Sequence, residues 1–138
     1  MKELKFSADL EQMPKVLKFV GDELDRAGCT RKARIRIEIA LEEIFVNIAK
    51  YAYKNRQNGD VTVCMSFPGN EASVEITFID GGTPFNPLEK PDPDIKLPAE
   101  KREIGGLGIW LVKEYMDMVQ YHHEDGHNIL TIRRKIKE

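Results

Sequence analysis

Long apolar runs are missing from this 138-residue chain, and none approaches the length needed to span a bilayer. The charged opening Met1-Lys-Glu-Leu-Lys5 lacks the apolar stretch of a signal peptide, so a cytoplasmic location is the expectation. Charge of one sign is missing too. Lys and Arg number 21 against 23 Asp and Glu, a formal net charge of −2, which argues against a nucleic-acid or anionic-membrane binder. Cysteine is scarce: Cys29 and Cys64 have no metal-like spacing and read as reduced, packed thiols. No internal repeat or low-complexity tract is present. What is left has the composition of an ordinary globular protein, and residues 1–138 have the length of a single domain with a real core.

The apolar pattern predicts an α+β fold. Leu4 and Phe6 flank Lys5 in a strand-like start. Leu10, Met13, Val16, Leu17, Val20 and Leu24 recur at helical spacing over residues 9–27, and Gly28 stops that helix. Thr30 caps a second helix reaching about residue 55. Ile37, Leu41, Ile44 and Ile48 form its sheet-facing line, and Arg34, Glu38 and Glu42 its solvent line. Val61, Val63, Met65 and Phe67 alternate along a strand, Pro68-Gly-Asn70 turns the chain, and Val74, Ile76 and Phe78 alternate on the return. A helix over 109–118 precedes a last hairpin that turns at Asp125-Gly126. Helices on one face of a mixed, mainly antiparallel sheet make the natural two-layer solution. Residues 83–104 break every regular pattern. They hold five of the seven prolines, which predicts a functional loop or lid rather than another core element.

Three groups carry chemistry. Glu43 and Asn47 share one helix face. A carboxylate leaving an apolar stretch around Ile39, Ala40 and Val46 needs a partner. Asn47 suits an oxygen ligand for Mg2+ and Glu43 a general base; a surface Glu beside a locally bonded Asn is the plainer alternative. Asp80 ends a strand on its core side, where a carboxylate suits an exocyclic amine such as N6 of adenine. Gly81 and Gly82 clear side chains from its approach, although a simple turn would look the same. Gly105-Gly-Leu-Gly108 opens the helix Ile109-Trp-Leu-Val112 and can aim N–H groups at phosphate, or merely start a helix. It is not a P-loop, because no Gly-Lys-Ser/Thr follows. His122, His123 and His127 flank the last turn and read as an exposed hairpin. Arg133-Arg-Lys135 reads as a solvated strand end and Trp110 as core.

In order and spacing these groups resemble the GHKL ATPase superfamily of gyrase, heat-shock chaperone, histidine-kinase and mismatch-repair ATPases. Within it they look most like the compact bacterial anti-sigma factor serine/threonine kinases. Glu43-x-x-x-Asn47 resembles the N box. Asp80-x-Gly82, continuing as Thr83-Pro-Phe-Asn-Pro87, resembles the G1 box, and Gly105-Gly-Leu-Gly108-Ile-x-Leu-Val112 the G2 box. The likeness covers residues 5–135. It implies a two-layer α/β sandwich of the Bergerat type that binds ATP with Mg2+ under the lid. Glu43 would be the catalytic base, Asn47 would hold the metal and Asp80 adenine. Gly82, Gly105, Gly106, Leu107 and Gly108 would surround the nucleotide, with Thr131 of the last strand near the base. Lys101 and Arg102 are the lid's candidates for phosphate contact. Tyr51 departs from the histidine that many relatives carry four residues after the Asn.

The implied activity is that of an ATP-dependent serine/threonine protein kinase and partner-switching regulator. Its substrate would be a STAS-type anti-anti-sigma protein. Its other partners would be a sigma factor and a second copy of the chain, with no nucleic acid and no membrane. Two alternatives stand beside it: an ATP-dependent protein-binding module without transfer activity, and a histidine-kinase-like ATPase domain. The presence of Glu43 favours an enzyme over a binder. The Pro-Phe-Asn-Pro form of the G1 box and the missing phospho-acceptor helix argue against the histidine kinase.

Overall fold

Local sequence sets where each helix begins and ends in the computed structural model, which describes residues 1–53, 59–69, 72–89 and 106–137. Asp9 accepts from the Glu11 N–H at 3.0 Å and starts a short 3-10 turn. Pro14 lies in the first turn of helix α1 (Met13–Arg26), where a missing N–H costs nothing. Val16, Val20 and Leu24 recur every fourth residue along α1 and are fully buried. Gly28 follows at φ +77, a conformation that suits glycine after a helix. Thr30 accepts from the Ala33 N–H at 3.2 Å and starts α2 (Arg31–Asn47).

The expected apolar line of α2 is buried from Ile37 to Ile48. Arg34 and Glu38 pair at 2.9 Å on the outside and Glu42 is exposed. The helix does not continue to residue 55. After Asn47 it widens into a turn of π-helix, Ile48–Ala52. Such turns are rare and frequently mark functional sites.

The strands are β1 (Lys2–Ser7), β2 (Asp60–Ser66), β3 (Ser73–Asp80), β4 (Met118–Glu124) and β5 (His127–Lys135). They lie in the order β1-β2-β3-β5-β4. Every pairing among the described residues is antiparallel, so the expected mixed sheet is an antiparallel one. Val61, Val63, Met65, Val74, Ile76, Phe78, Leu130 and Ile132 form its buried face. That face joins one core with α1, α2 and Ile109 and Val112 of the third helix, α3 (Gly106–Tyr115). The alternation of buried and half-buried residues along β2 and β3 is that of a sheet with helices on one side only.

Three further expectations are corrected. The third helix spans residues 106–115, not 109–118. Its end is pulled into the sheet because the Asp117 N–H donates to the Arg133 carbonyl at 2.8 Å. The Asp117 carboxylate also accepts from the Lys135 N–H at 2.7 Å. Arg134 is not solvated. It is 8% exposed, and its Nη1 donates to the Tyr115 carbonyl at 2.9 Å, placing a cation on the C-terminus of α3. Trp110 is half-buried rather than sealed in the core. Asn70, residues 90–104 of the expected lid with Lys101 and Arg102, and Gly105 lie outside the described residues. Both cysteines are free and half-buried.

A prediction arises from the buried arginine. Arg134→Met should cost about 1–3 kcal/mol of unfolding free energy in a urea titration, because it takes a charged donor, itself buried, away from the part-buried Tyr115 carbonyl at the end of α3. Arg133→Ala removes only an exposed pair with Glu75 and should cost less than about 1 kcal/mol. Equal costs for the two would remove the helix-capping role assigned to Arg134.

Candidate functional site

Asp80 closes β3 on the core side of the sheet and is 4% exposed. Burial raises its carboxyl above the usual carboxylate range. Hydrogen bonds from Asn128 and the Gly82 N–H pull the other way without cancelling that effect. Gly82 donates to Asp80 Oδ1 at 2.9 Å. Only glycine fits at this position. A Cβ there would lie 2.7 Å from the Ala52 Cβ and would collide with its carbonyl oxygen, to which the Thr83 N–H donates at 2.8 Å. The loop after β3 is therefore docked on the π turn that ends α2. The Tyr53 hydroxyl adds a second tie, accepting from the Gly81 N–H at 2.8 Å and donating to the Asp60 carbonyl at 2.7 Å.

A small cavity of about 20 Å³ opens beside Asp80, bounded by Asn47, Ile44, Phe85, Tyr121 and Asn128 among others. That is room for a water molecule and not for a purine. Phe85 stacks on Tyr51, with ring centroids 5.1 Å apart. Phe85 and Pro87, on the loop after β3, form part of the cavity wall. Tyr51 therefore backs one of the residues that line the cavity.

Asn47 lines the same cavity as Asp80, so the end of α2 and the end of β3 meet as the sequence predicts. Glu43 lies one turn earlier, about 6 Å along the helix axis. It is half-buried and faces the start of α3. A Cβ on Gly108 would sit 2.7 Å from the Glu43 Cδ and would overlap the carboxylate oxygen. Gly106, Leu107 and Gly108 form the first turn of α3, whose N–H groups lack helical partners and favour an anion. The site therefore has two ends on one helix: a partly apolar pocket at Asp80 and Asn47, and an end where the Glu43 carboxylate meets the first turn of α3 at Gly108.

No group of three His, Cys, Asp or Glu side chains among the described residues could cage a metal ion. Asn47 offers one carboxamide oxygen. That fits Mg2+, which takes few protein ligands and completes its shell with phosphate oxygens and water. The three histidines of the β4–β5 hairpin are exposed.

Thr131 is not brought to this cluster. It pairs with Thr77, their hydroxyls 3.1 Å apart, on the opposite face of the sheet from Asp80. It stands three residues from Asn128, the partner of Asp80 in the strand register, and an odd separation reverses the face. Sequence reasoning missed Asn128, Tyr121, Tyr53 and the Ala52 carbonyl. The β3–β5 register was the one signal that could have found Asn128.

Comparison with known proteins gives a consistent answer. Residues 6–134 match the model of the histidine kinase-like ATPase domain. The chain is 30% identical over 112 residues to the serine-protein kinase RsbW of Listeria monocytogenes, covering 78% of this chain and 70% of that one. It is 30% identical over 135 residues to RsbW of Bacillus mycoides, covering 95% and 82%. Among solved structures, a Mycobacterium tuberculosis protein with RsbU and RsbW domains superposes with a TM-score of 0.64 at 14% identity, over 99% of this chain and 33% of that one. The blue-light activated histidine kinase of Erythrobacter litoralis gives 0.59 at 17% identity, over 78% and 32%. The chain thus spans about a third of each of those two larger proteins, and the likeness to them is one of fold.

Proposed function

The chain belongs to the histidine kinase-like ATPase family, in the GHKL anti-sigma kinase subfamily, and on that premise we propose that it is an ATP-dependent serine/threonine protein kinase acting as a partner-switching regulator. The observation that supports this reading most is the double duty of α2, which presents Asn47 to the Asp80 pocket and Glu43 to the first turn of α3. Asp80 accepts from the adenine amine. Asn47 gives one oxygen to Mg2+, which supplies charge neutralisation for the phosphates when bound. The first turn of α3 faces the phosphates, and Glu43 orients the substrate hydroxyl and takes its proton.

The substrate in this proposal is a serine or threonine of a STAS-type anti-anti-sigma protein, and a sigma factor is the partner exchanged for it. A second copy of the chain completes the set. No described helix is long and apolar enough to cross a membrane, and the proposal places the protein in the cytoplasm.

Two measurements test it in sequence. A ligand held by the native state alone adds about 2.7 kcal/mol of stability at a hundredfold excess over its Kd, so millimolar Mg-ATP should raise the melting temperature. Labelled γ-phosphate should then pass to a STAS protein encoded in the same genome. A melt that ignores Mg-ATP ends the proposal at its first step; a shift without transfer to any STAS protein leaves the binding-module alternative in its place.

A further inference from the structure

Asn128 stands directly opposite Asp80 in the β3–β5 register and is 4% exposed. Its carboxamide is used at both ends. Nδ2 donates to Asp80 Oδ1 at 2.9 Å and to the Thr83 carbonyl at 3.0 Å. Oδ1 accepts from the Phe85 N–H at 3.1 Å and from the Tyr121 hydroxyl. A backbone N–H can only donate, so Phe85 alone fixes which end of the amide is oxygen. Nδ2 must then face Asp80. Together with the Gly82 N–H, two donors converge on Asp80 Oδ1, and Oδ2 takes neither of them.

We propose that Asn128 is the positioning residue that sets base selectivity, by holding Asp80 as an ionised acceptor with Oδ2 turned to the ligand. The inference rests on the nucleotide-binding reading above and names what that site discriminates. A carboxyl group in an apolar pocket can meet a base in two ways. Ionised, it accepts from an exocyclic amine such as N6 of adenine. Protonated, it donates to a carbonyl such as O6 of hypoxanthine. Desolvation alone favours the second form. Donors from Asn128 and Gly82 favour the first and also fix the rotation of the carboxylate. Because the same amide holds the Thr83 carbonyl and the Phe85 N–H, the loop over the base is set in register with the acceptor beneath it.

The test compares Mg-ATP with Mg-ITP, which carries a carbonyl in place of the amine, by calorimetric titration of the intact chain. The wild type should prefer ATP. Asn128→Ala should lower the ITP-to-ATP ratio of Kd values about tenfold, the worth of one hydrogen bond to a charged group. Asn128→Thr keeps a hydroxyl donor and should recover part of the preference. Tyr121→Phe removes one group that orients the amide and should shift the ratio the same way by less. These two milder variants decide the matter if the alanine variant does not fold. A merely structural role weakens both nucleotides alike, so an unchanged ratio in folded variants overturns the proposal. A wild type that binds neither nucleotide overturns the ATP reading itself.

Discussion

Glu43→Ala should lose phosphoryl transfer by about 10²–10⁴-fold, the usual worth of a positioned general base, while ATP affinity stays within a few fold. The separation follows from where the carboxylate lies. Glu43 faces Gly108 at the head of α3 and is not part of the cavity beside Asp80, so removing it leaves the base pocket untouched. Asn47→Ala should damage binding and transfer together, because Asn47 lines that cavity and is the proposed metal ligand. Glu42→Ala is the control: one residue away, exposed on the solvent line, it should change little.

Gly108→Ala gives the same result by a different route. Alanine suits the first turn of a helix, and the main obstacle to its Cβ is the flexible end of Glu43. The variant should fold and bind ATP, yet transfer poorly because the carboxylate has been pushed aside. Quantifying labelled phosphate on the acceptor protein, beside calorimetric ATP affinities, checks all four variants. Transfer that survives in Glu43→Ala and disappears in Glu42→Ala would show that the base is the other carboxylate.

Much of this geometry was legible in the sequence because it depends on local periodicity. The fourfold spacing of Val16, Val20 and Leu24, the cap at Thr30 and the strict alternation of Val61 to Met65 and Val74 to Phe78 each report on neighbours within a turn or a strand. So does the placement of Asn47 and Glu43 on one helix and of Asp80 at a strand end. What was not legible depends on pairing between distant segments. Thr131 was assigned to the base by analogy, and only the β3–β5 register shows that its hydroxyl meets Thr77 on the far face. That register also brings Asn128 to Asp80. Arg134 looked like one of three solvated cations, yet alternation along β5 turns it inward to the end of α3, while Arg133 and Lys135 stay out. The π turn carries no periodic signal. It carries Ala52 against Gly82, a contact between segments distant in the sequence.

Asp80→Asn should weaken ATP binding by about 10–100-fold and leave the unliganded protein at least as stable as the wild type at neutral pH. The binding loss follows from donor geometry. Asn128 and the Gly82 N–H both aim at the δ1 position, so an asparagine there turns its oxygen to them and its amine toward the ligand. Two amines then face each other in a desolvated pocket. The stability half follows from the raised carboxyl of the folded protein. A carboxyl whose pKa is higher folded than unfolded stabilises fully only below its unfolded value, and that contribution is lost as pH rises through the folded one. At neutral pH the ionised Asp80 is therefore a cost, and the asparagine removes it. The advantage of the variant should shrink as pH falls into the ordinary carboxylate range. ATP affinity of the wild type should move oppositely, falling as Asp80 takes up its proton, whereas the variant has no such step from this residue. Thermal melts and titrations across the acid range measure both halves. A variant that binds ATP like the wild type would take the base away from Asp80. One that binds poorly and also melts much lower at neutral pH would show that the carboxylate holds the loop together before it holds any ligand.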